Sequence, residues 1–439
     1  MSGIAEVLLN MGYQVSGSDL KESPITRRLQ RLGARVYYGH DPENLGDAQV
    51  VVYSSAVREV NPELMAAQER MIPIVPRGEM LAELMRMKYG IAVAGSHGKT
   101  TTTSLIASIL SHAGLDPTAV IGGKVHAFGS NAKVGKGEVW VCEADESDGS
   151  FLKLSPVIAV VTNIDPEHLD HYHSLDELKA AFRQFLEKVP FYGLVVACWD
   201  HSGVREVLKG FSRRLVTYGL SQEARFRAEG IKTTFFQTSF NLYHQGENLG
   251  RLKLDMPGRH NVLNCLSAIA VAWELEVSFQ VIREAVEEFE GVERRFQLKG
   301  EVGGITFIDD YGHHPEEIKA TLRAVREGHQ GRIVVLFQPH RYTRTQILFD
   351  YFLEAFSDAD LLIMTEIYPA GEDPIAGVTA LKLAQEIGRL GRPQVIYLPD
   401  REQMLDEAVN LLQPGDLVIT LGAGDIWTVG EAILERLKG

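Results

Sequence analysis

The residues that could do chemistry begin with Gly95, Ser96, His97, Gly98, Lys99, Thr100 and Thr101, inside the run IAVAGSHGKTTTTSLIASIL from Ile91 to Leu110. Gly95 and Gly98 let backbone N–H groups approach phosphate oxygens, Lys99 supplies a point charge, and Thr100 offers a hydroxyl to Mg2+. The spacing is GxxGKT, shorter than the usual nucleotide loop. Downstream, Glu143, Asp145, Glu146 and Asp148 crowd four carboxylates into six positions. Such crowding is costly without a cation, and a carboxylate just past a strand can hold Mg2+ beside a triphosphate. The segment TNIDPEHLDHYH, residues 162–173, adds His168, His171 and His173. Three histidines so close could bind zinc, but beside a phosphate loop they fit a nucleotide–metal site in which Mn2+ can substitute for Mg2+.

These groups need a rigid support. Apolar residues lead into the loop, and Leu105, Ile106, Ile109 and Leu110 share one face of the helix expected after it, with Gly114 closing its end. Before it, residues 2–88 alternate helical and extended patterns, with strands expected near 13–17, 34–38, 48–53 and 72–75. A second segment, 89–291, continues with strands near 138–142 and 157–162, a β-rich stretch around 233–254 and a helix from about 261 to 275. A third, 292–439, shows extended runs near 305–308, 333–337, 361–365, 395–397 and 417–420. The alternation predicts an α/β fold with parallel or mixed sheets flanked by helices.

The bulk numbers narrow the function classes. A chain of 439 residues with 45% hydrophobic and 23% charged residues reads as a globular protein of two or three domains. Its 58 acidic against 44 basic residues give a net charge of -14, which argues against a nucleic-acid partner. Cys142, Cys198 and Cys265 lie far apart, as expected of a protein in a reducing cytoplasm. No apolar run reaches membrane-spanning length, so no membrane insertion is expected.

Seven motifs in this order, GSHGKTT, EADESDGSF, TNIDPEHLDHY, MPGRHNVLN, ERRFQLKG, DDYGHHPEE and FQPHRYTRT, resemble the Mur ligase family over the whole chain. The resemblance implies three domains: 1–88 for a UDP-sugar, 89–291 as the ATPase, and 292–439 closing over the nucleotide and bringing an amino acid. It implies ATP-dependent joining of L-alanine to the lactoyl carboxylate of UDP-N-acetylmuramate through an acyl phosphate, by a monomer or homodimer. Lys99 would contact the β- and γ-phosphates, Thr100 and Glu143 would hold one Mg2+, and Glu143 with His168 the second. Arg295 would reach the γ-phosphate, His260 and Asn261 would border the adenine, and Asp310 the ribose. Tyr311, His313, His340, Arg341 and Arg344 would receive the amino acid, with Arg341 or Arg344 clamping its carboxylate bidentately.

Two departures from the family pattern stand out. Where sibling ligases carry a carbamylated lysine, this chain reads AAFRQF with Phe182 and Arg183, so no such lysine is expected. The first strand and the Gly-rich turn that wraps a UDP diphosphate are missing before Met1-Ser2-Gly3, which leads us to expect that the natural protein is longer. Ser18, Asp19, Ser54 and Ser55 remain as candidates for the UDP-sugar. Other readings stay open: a sibling ligase that adds a peptide, a folylpolyglutamate-synthetase-like enzyme, or a nucleotide-binding module inactive as a ligase.

Overall fold

The computed structural model describes residues 1–54, 57–58, 60–125 and 130–438, and the side chains among them other than those at 123–125, 130–131 and 169–170. Ser55 lies outside the described residues. The chain divides into two compact units, one of 1–228, 242–250 and 263–289, the other of 229–241, 251–262 and 290–439.

In the first unit, a parallel sheet runs in the order Leu215–Gly219, Leu194–Cys198, Ile158–Val161, Tyr89–Ala94, Val139–Glu143 and Thr118–Val125, with Ser130–Lys133 antiparallel at its edge. Tyr89–Ala94 is central, and its residues from Ile91 to Ala94 are wholly buried. A strand covered on both faces reads as a continuous apolar run, which is why IAVA was legible. The helix Lys99–His112 follows it, with Leu105, Ile106, Ile109 and Leu110 fully buried. Gly114 stands at φ +77 just beyond the helix, the left-handed exit that a residue without Cβ makes easy.

The same unit contains the segment before residue 89. Its strands form two separate parallel pairs, Ser16–Asp19 with Arg35–Tyr38 and Val51–Tyr53 with Ile74–Pro76. The first strand sits later than the 13–17 expected, so Ser18 and Asp19 are its last two residues. Its exposed side chains gave the hydrophobic pattern no purchase; backbone pairing of Ser16 to Arg35 through Asp19 to Tyr38 sets the register.

In the second unit, six strands run in the order Gln297–Val302, Ile305–Asp310, Leu417–Leu421, Ile333–Phe337, Leu361–Met364 and Gln394–Tyr397. Only the first pairing is antiparallel. The helix Arg259–Glu274 begins two residues before Asn261, so Asn261 lies in the first turn and not at the cap. Its Nδ2 donates to Pro257 O at 2.9 Å.

Candidate active site

The phosphate loop is built by close approaches that a side chain would block. Gly95 stands at φ +139, and a Cβ there would lie 1.9 Å from Thr162 Oγ1; at Gly98, φ +80, it would lie 2.4 Å from Asn264 Oδ1. The segment after the strand Ile158–Val161 fixes the loop from the other side. Thr162 Oγ1 donates to His97 O at 2.6 Å, His97 N donates to Asn163 Oδ1 at 2.7 Å, and Asp165 N donates to Ser96 Oγ at 2.9 Å. Asp165 also faces two imidazoles, His97 at 3.5 Å and His201 at 3.1 Å.

Lys99 and Glu146 form the electrostatic centre of this loop. Lys99 Nζ donates to both Glu146 carboxylate oxygens, at 2.8 and 2.9 Å, and to Gly95 O at 2.6 Å. Burial works against both charges, and Glu146 is fully buried, but the attraction between them holds Lys99 as an ammonium with a raised pKa. A buried pair of this kind adds little net stability, because desolvation offsets the Coulomb gain. Tyr172 Oη donates to Glu146 O at 2.6 Å and fixes the backbone that carries the carboxylate.

Thr100 and Glu143 lie close to one another beside the loop. The Thr100 hydroxyl is near enough to the Glu143 carboxylate to favour its charged form, and Gly122 N donates to Glu143 Oε1 at 2.6 Å. Burial nonetheless raises the Glu143 pKa, leaving a carboxylate that would gain from a cation. His168 stands at φ +55, a backbone state that its surroundings must impose. Its Nε2 lies 3.7 Å from Glu146 Oε1 and 3.9 Å from Glu167 Oε2. Ligand atoms of Glu146, Glu167 and His168 all fall within 4.8 Å of one another, close enough to share a metal ion. Thus Thr100–Glu143 and Glu146–Glu167–His168 are two oxygen-rich groups beside one loop, a donor set suited to Mg2+ with a nucleotide. Glu146 was named only as one of four candidate carboxylates, and Glu167 and the loop-fixing Asn163 were not singled out, although all three fall inside quoted motifs. Their motif membership was the available signal, and only the fold showed which side chains turn toward Lys99. Phe182 is core, and Arg183 Nη1 donates to Val207 O at 2.8 Å.

In the early segment, Ser18 Oγ donates to Glu63 Oε2 at 2.7 Å and lies 3.0 Å from His40 Nδ1. Asp19 is exposed, and its carbonyl accepts from Gly39 N at 2.9 Å. Ser54 is half-buried beyond the strand Val51–Tyr53.

The second unit carries the remaining candidates. Asp310, buried at the end of its strand, accepts from Gly312 N and Phe296 N, both at 2.8 Å. Burial raises its pKa, against the pull of Arg295. Arg295 Nη1 donates to Glu317 Oε1 at 3.4 Å, and its guanidinium lies 5.1 Å from the Tyr311 ring centroid. Burial, with Arg295 nearby, drives the His260 pKa down to about 4, so its ring is neutral at pH 7. Beside Arg295, Arg294 at φ +60 is a pin missed by sequence reasoning. It donates to Asp309, Gly422 O and Gly424 O, and Tyr311 N donates back to its carbonyl at 2.7 Å.

Tyr311, His313, His340 and Arg344 form a chain of contacts. The rings of Tyr311 and His313 lie 5.4 Å apart, those of His313 and His340 5.7 Å apart, and Arg344 Nη1 lies 3.0 Å from His340 Nδ1. Burial and the neighbouring Arg344 and Arg341 charges bring the His340 pKa down to about 4, so its ring accepts from Arg344. Arg344 is thereby committed to His340. Arg341, nearly half exposed, is the better placed of the two arginines to meet an anion.

Sequence profiles match at residues 1–89 (Mur ligase family, catalytic domain), 93–272 (Mur ligase middle domain) and 294–424 (Mur ligase, glutamate ligase domain). The UDP-N-acetylmuramate--L-alanine ligase of Geotalea uraniireducens is 57% identical over 439 residues, covering 100% of this chain and 96% of that one. Its counterpart in Geobacter sp. strain M21 is also 57% identical, over 100% and 95%. Among solved structures, a UDP-N-acetylmuramate-alanine ligase from Thermotoga maritima superposes with a TM-score of 0.83 at 30% identity, covering 100% of this chain and 96% of that one. A murein peptide ligase from Psychrobacter arcticus, at 22% identity and a TM-score of 0.72, shares the fold. With a phosphate loop braced by its acidic and histidine motifs, and relatives this similar along its whole length, the chain belongs to the Mur ligase family.

Proposed function

We propose that this protein joins L-alanine to the lactoyl carboxylate of UDP-N-acetylmuramate at the expense of ATP, a step of peptidoglycan precursor synthesis in the cytoplasm. The observation that carries the reading is end-to-end identity of 57% to relatives bearing that name. The three profile matches support three functional segments, 1–88, 89–291 and 292–439. No described helix is long and apolar enough to cross a membrane.

A carboxylate must be activated before an amine can displace anything from it. Phosphoryl transfer from ATP to the lactoyl carboxylate gives an acyl phosphate, and the alanine amine then displaces phosphate. Both partners in the first step are anions, so the protein's task is alignment and charge neutralisation. In this reading the loop amides of residues 95–101 cradle the phosphates, and Lys99 exchanges its contact with Glu146 for a phosphate oxygen. Thr100, Glu143 and His168, with Glu146 and Glu167 beside His168, would hold Mg2+, or Mn2+ in its place, which supplies positive charge to the triphosphate. Arg295 is assigned to the γ-phosphate, neutral His260 and Asn261 to the adenine, and Asp310 to the ribose. Arg341 takes the amino-acid carboxylate, leaving the amine free, while Tyr311, His313 and His340 with Arg344 line its surroundings. Ser18, Asp19 and Ser54 are assigned to the UDP-sugar.

The test is reconstitution with ATP, Mg2+, UDP-N-acetylmuramate and L-alanine. Phosphate release requiring all four supports the proposal. ATP binding without alanine-dependent release would favour a nucleotide-binding module, and release only with a murein tripeptide would reassign the amine substrate.

A further inference from the structure

The residue after His340 is held by a loop that has no role in the reaction as derived above. Arg341 stands at φ +70, a conformation a residue with a side chain adopts only when its surroundings impose it. The loop following the strand Leu361–Met364 does the imposing. Arg341 N donates to Tyr368 O, and Tyr368 N donates to Pro339 O, both at 2.8 Å. The Tyr368 ring stacks on His340, with centroids 5.6 Å apart and planes 9° apart. From the same loop, Glu372 accepts from Thr343 N at 3.1 Å and from Thr343 Oγ1 at 2.6 Å. That fixes its carboxylate with Oε1 4.0 Å from Arg341 Nε.

A separation of 4.0 Å is too long for a hydrogen bond but well within reach of an electrostatic hold. The carboxylate meets the guanidinium on its Nε side, while the Nη pair makes no hydrogen bond among the described residues. A long, half-exposed arginine otherwise samples many rotamers, and ordering it on each binding event lowers affinity. We infer that Glu372 is a positioning residue for amino-acid recognition: it holds Arg341 by its Nε side so that the Nη fork faces the incoming carboxylate. This rests on the reading that Arg341 receives the amino acid. The alternative duty of Glu372, satisfying an N–H at the start of the helix Tyr342–Ile347, needs no charge.

Glu372→Gln separates the two duties, since an amide can still bond both Thr343 groups but carries no charge toward Arg341. With the full chain at saturating ATP and UDP-N-acetylmuramate, the variant should raise KM for L-alanine about tenfold, with kcat and KM for ATP within about twofold of the parent. Glu372→Ala, which removes both duties, should be at least as impaired, and thermal midpoints check that both variants fold. A Glu372→Gln variant with the parent's KM for alanine, beside an impaired Glu372→Ala, would overturn the inference and leave only the capping duty. A fall in kcat together with a rise in every KM would overturn it too, as general disorder of the site. If the unsubstituted protein releases no phosphate in response to alanine, the functional reading fails first and takes the inference with it.

Discussion

Gly95→Ala is the sharpest perturbation of the phosphate loop. The added methyl meets two separate obstacles. At φ +139 an L side chain is strained whatever space surrounds it, at a cost of roughly 1–3 kcal/mol. The Cβ would also lie 1.9 Å from Thr162 Oγ1, so Thr162 must turn away and release its bond to His97 O. Losing that bond costs a further ~0.5–1.5 kcal/mol. Together these give about 1.5–4.5 kcal/mol, a large share of the ~5–15 kcal/mol that keeps a domain folded. The loop amides move with the strain, so KM for ATP should rise as well. Urea unfolding of parent and variant measures the first effect, and ATP titration in the phosphate-release assay the second. Because the severe overlap is with Thr162 Oγ1, with the Asn163 backbone at 3.1 Å, Thr162→Ala in the same chain should remove part of the penalty and leave the φ strain, so the two substitutions are coupled. A variant within about 0.5 kcal/mol of the parent and with an unchanged KM for ATP, or strictly additive double-variant behaviour, would refute the close-approach argument.

The other expectations use different groups. Lys99→Ala should abolish turnover yet fold, since the buried Glu146 can take up a proton once its partner is gone; near-normal phosphate release would sink the role given to Lys99. Glu143→Gln keeps an acceptor for Gly122 N but removes the charge meant for a cation, so the Mg2+ concentration for half-maximal rate should rise about tenfold or more, and an unchanged requirement would exclude Glu143 as a ligand. His260, whose pKa falls from 6.5 to about 4, stays neutral in the folded protein over a range where the unfolded chain binds a proton. Its stability contribution is therefore complete above pH 6.5 and lost as pH falls toward 4, by up to about 3 kcal/mol. His260→Asn should flatten that part of the stability–pH curve measured by denaturant unfolding, and an identical slope in the variant would show that His260 is not buried neutral.

How much was legible in the sequence depended on how local the cause was. The strand Tyr89–Ala94 and the helix Lys99–His112 announce themselves because burial on both faces and a one-sided apolar stripe are written in consecutive residues. Asp310 was expected beyond a strand ending at 308, but its strand continues to Asp310 itself, because pairing to Leu417–Leu421 carries the ladder past the last apolar side chain. The same limit explains the late first strand at Ser16–Asp19, whose pairing partner is Arg35–Tyr38 and whose side chains, apart from the half-buried Ser18, are exposed. Motif arguments named Lys99, Thr100, Glu143 and His168 as candidates; the fold sets Thr100 near Glu143, whereas His168, expected to share a metal with Glu143, faces Glu146 and Glu167.

Partners chosen by the fold were harder to read. Glu146 is one carboxylate among four in a short run, and nothing in the run says which will be fully buried against Lys99, 47 positions away. Glu372 lies in a loop with no apolar period, and its relation to Arg341 depends on the strand Ile333–Phe337 pairing with Leu361–Met364. That pairing brings the loops beyond both strands to the same end of the sheet, where open parallel sheets bind ligands. A charge at the C-terminal end of one parallel strand is thus best read against the loop that follows its neighbour in the sheet. By that rule Arg341 points to 366–372, as Lys99, beyond Tyr89–Ala94, points to the acidic run after Val139–Glu143 and to the histidine run after Ile158–Val161. The strand order supplies what spacing along the chain does not: which distant motif each loop must answer.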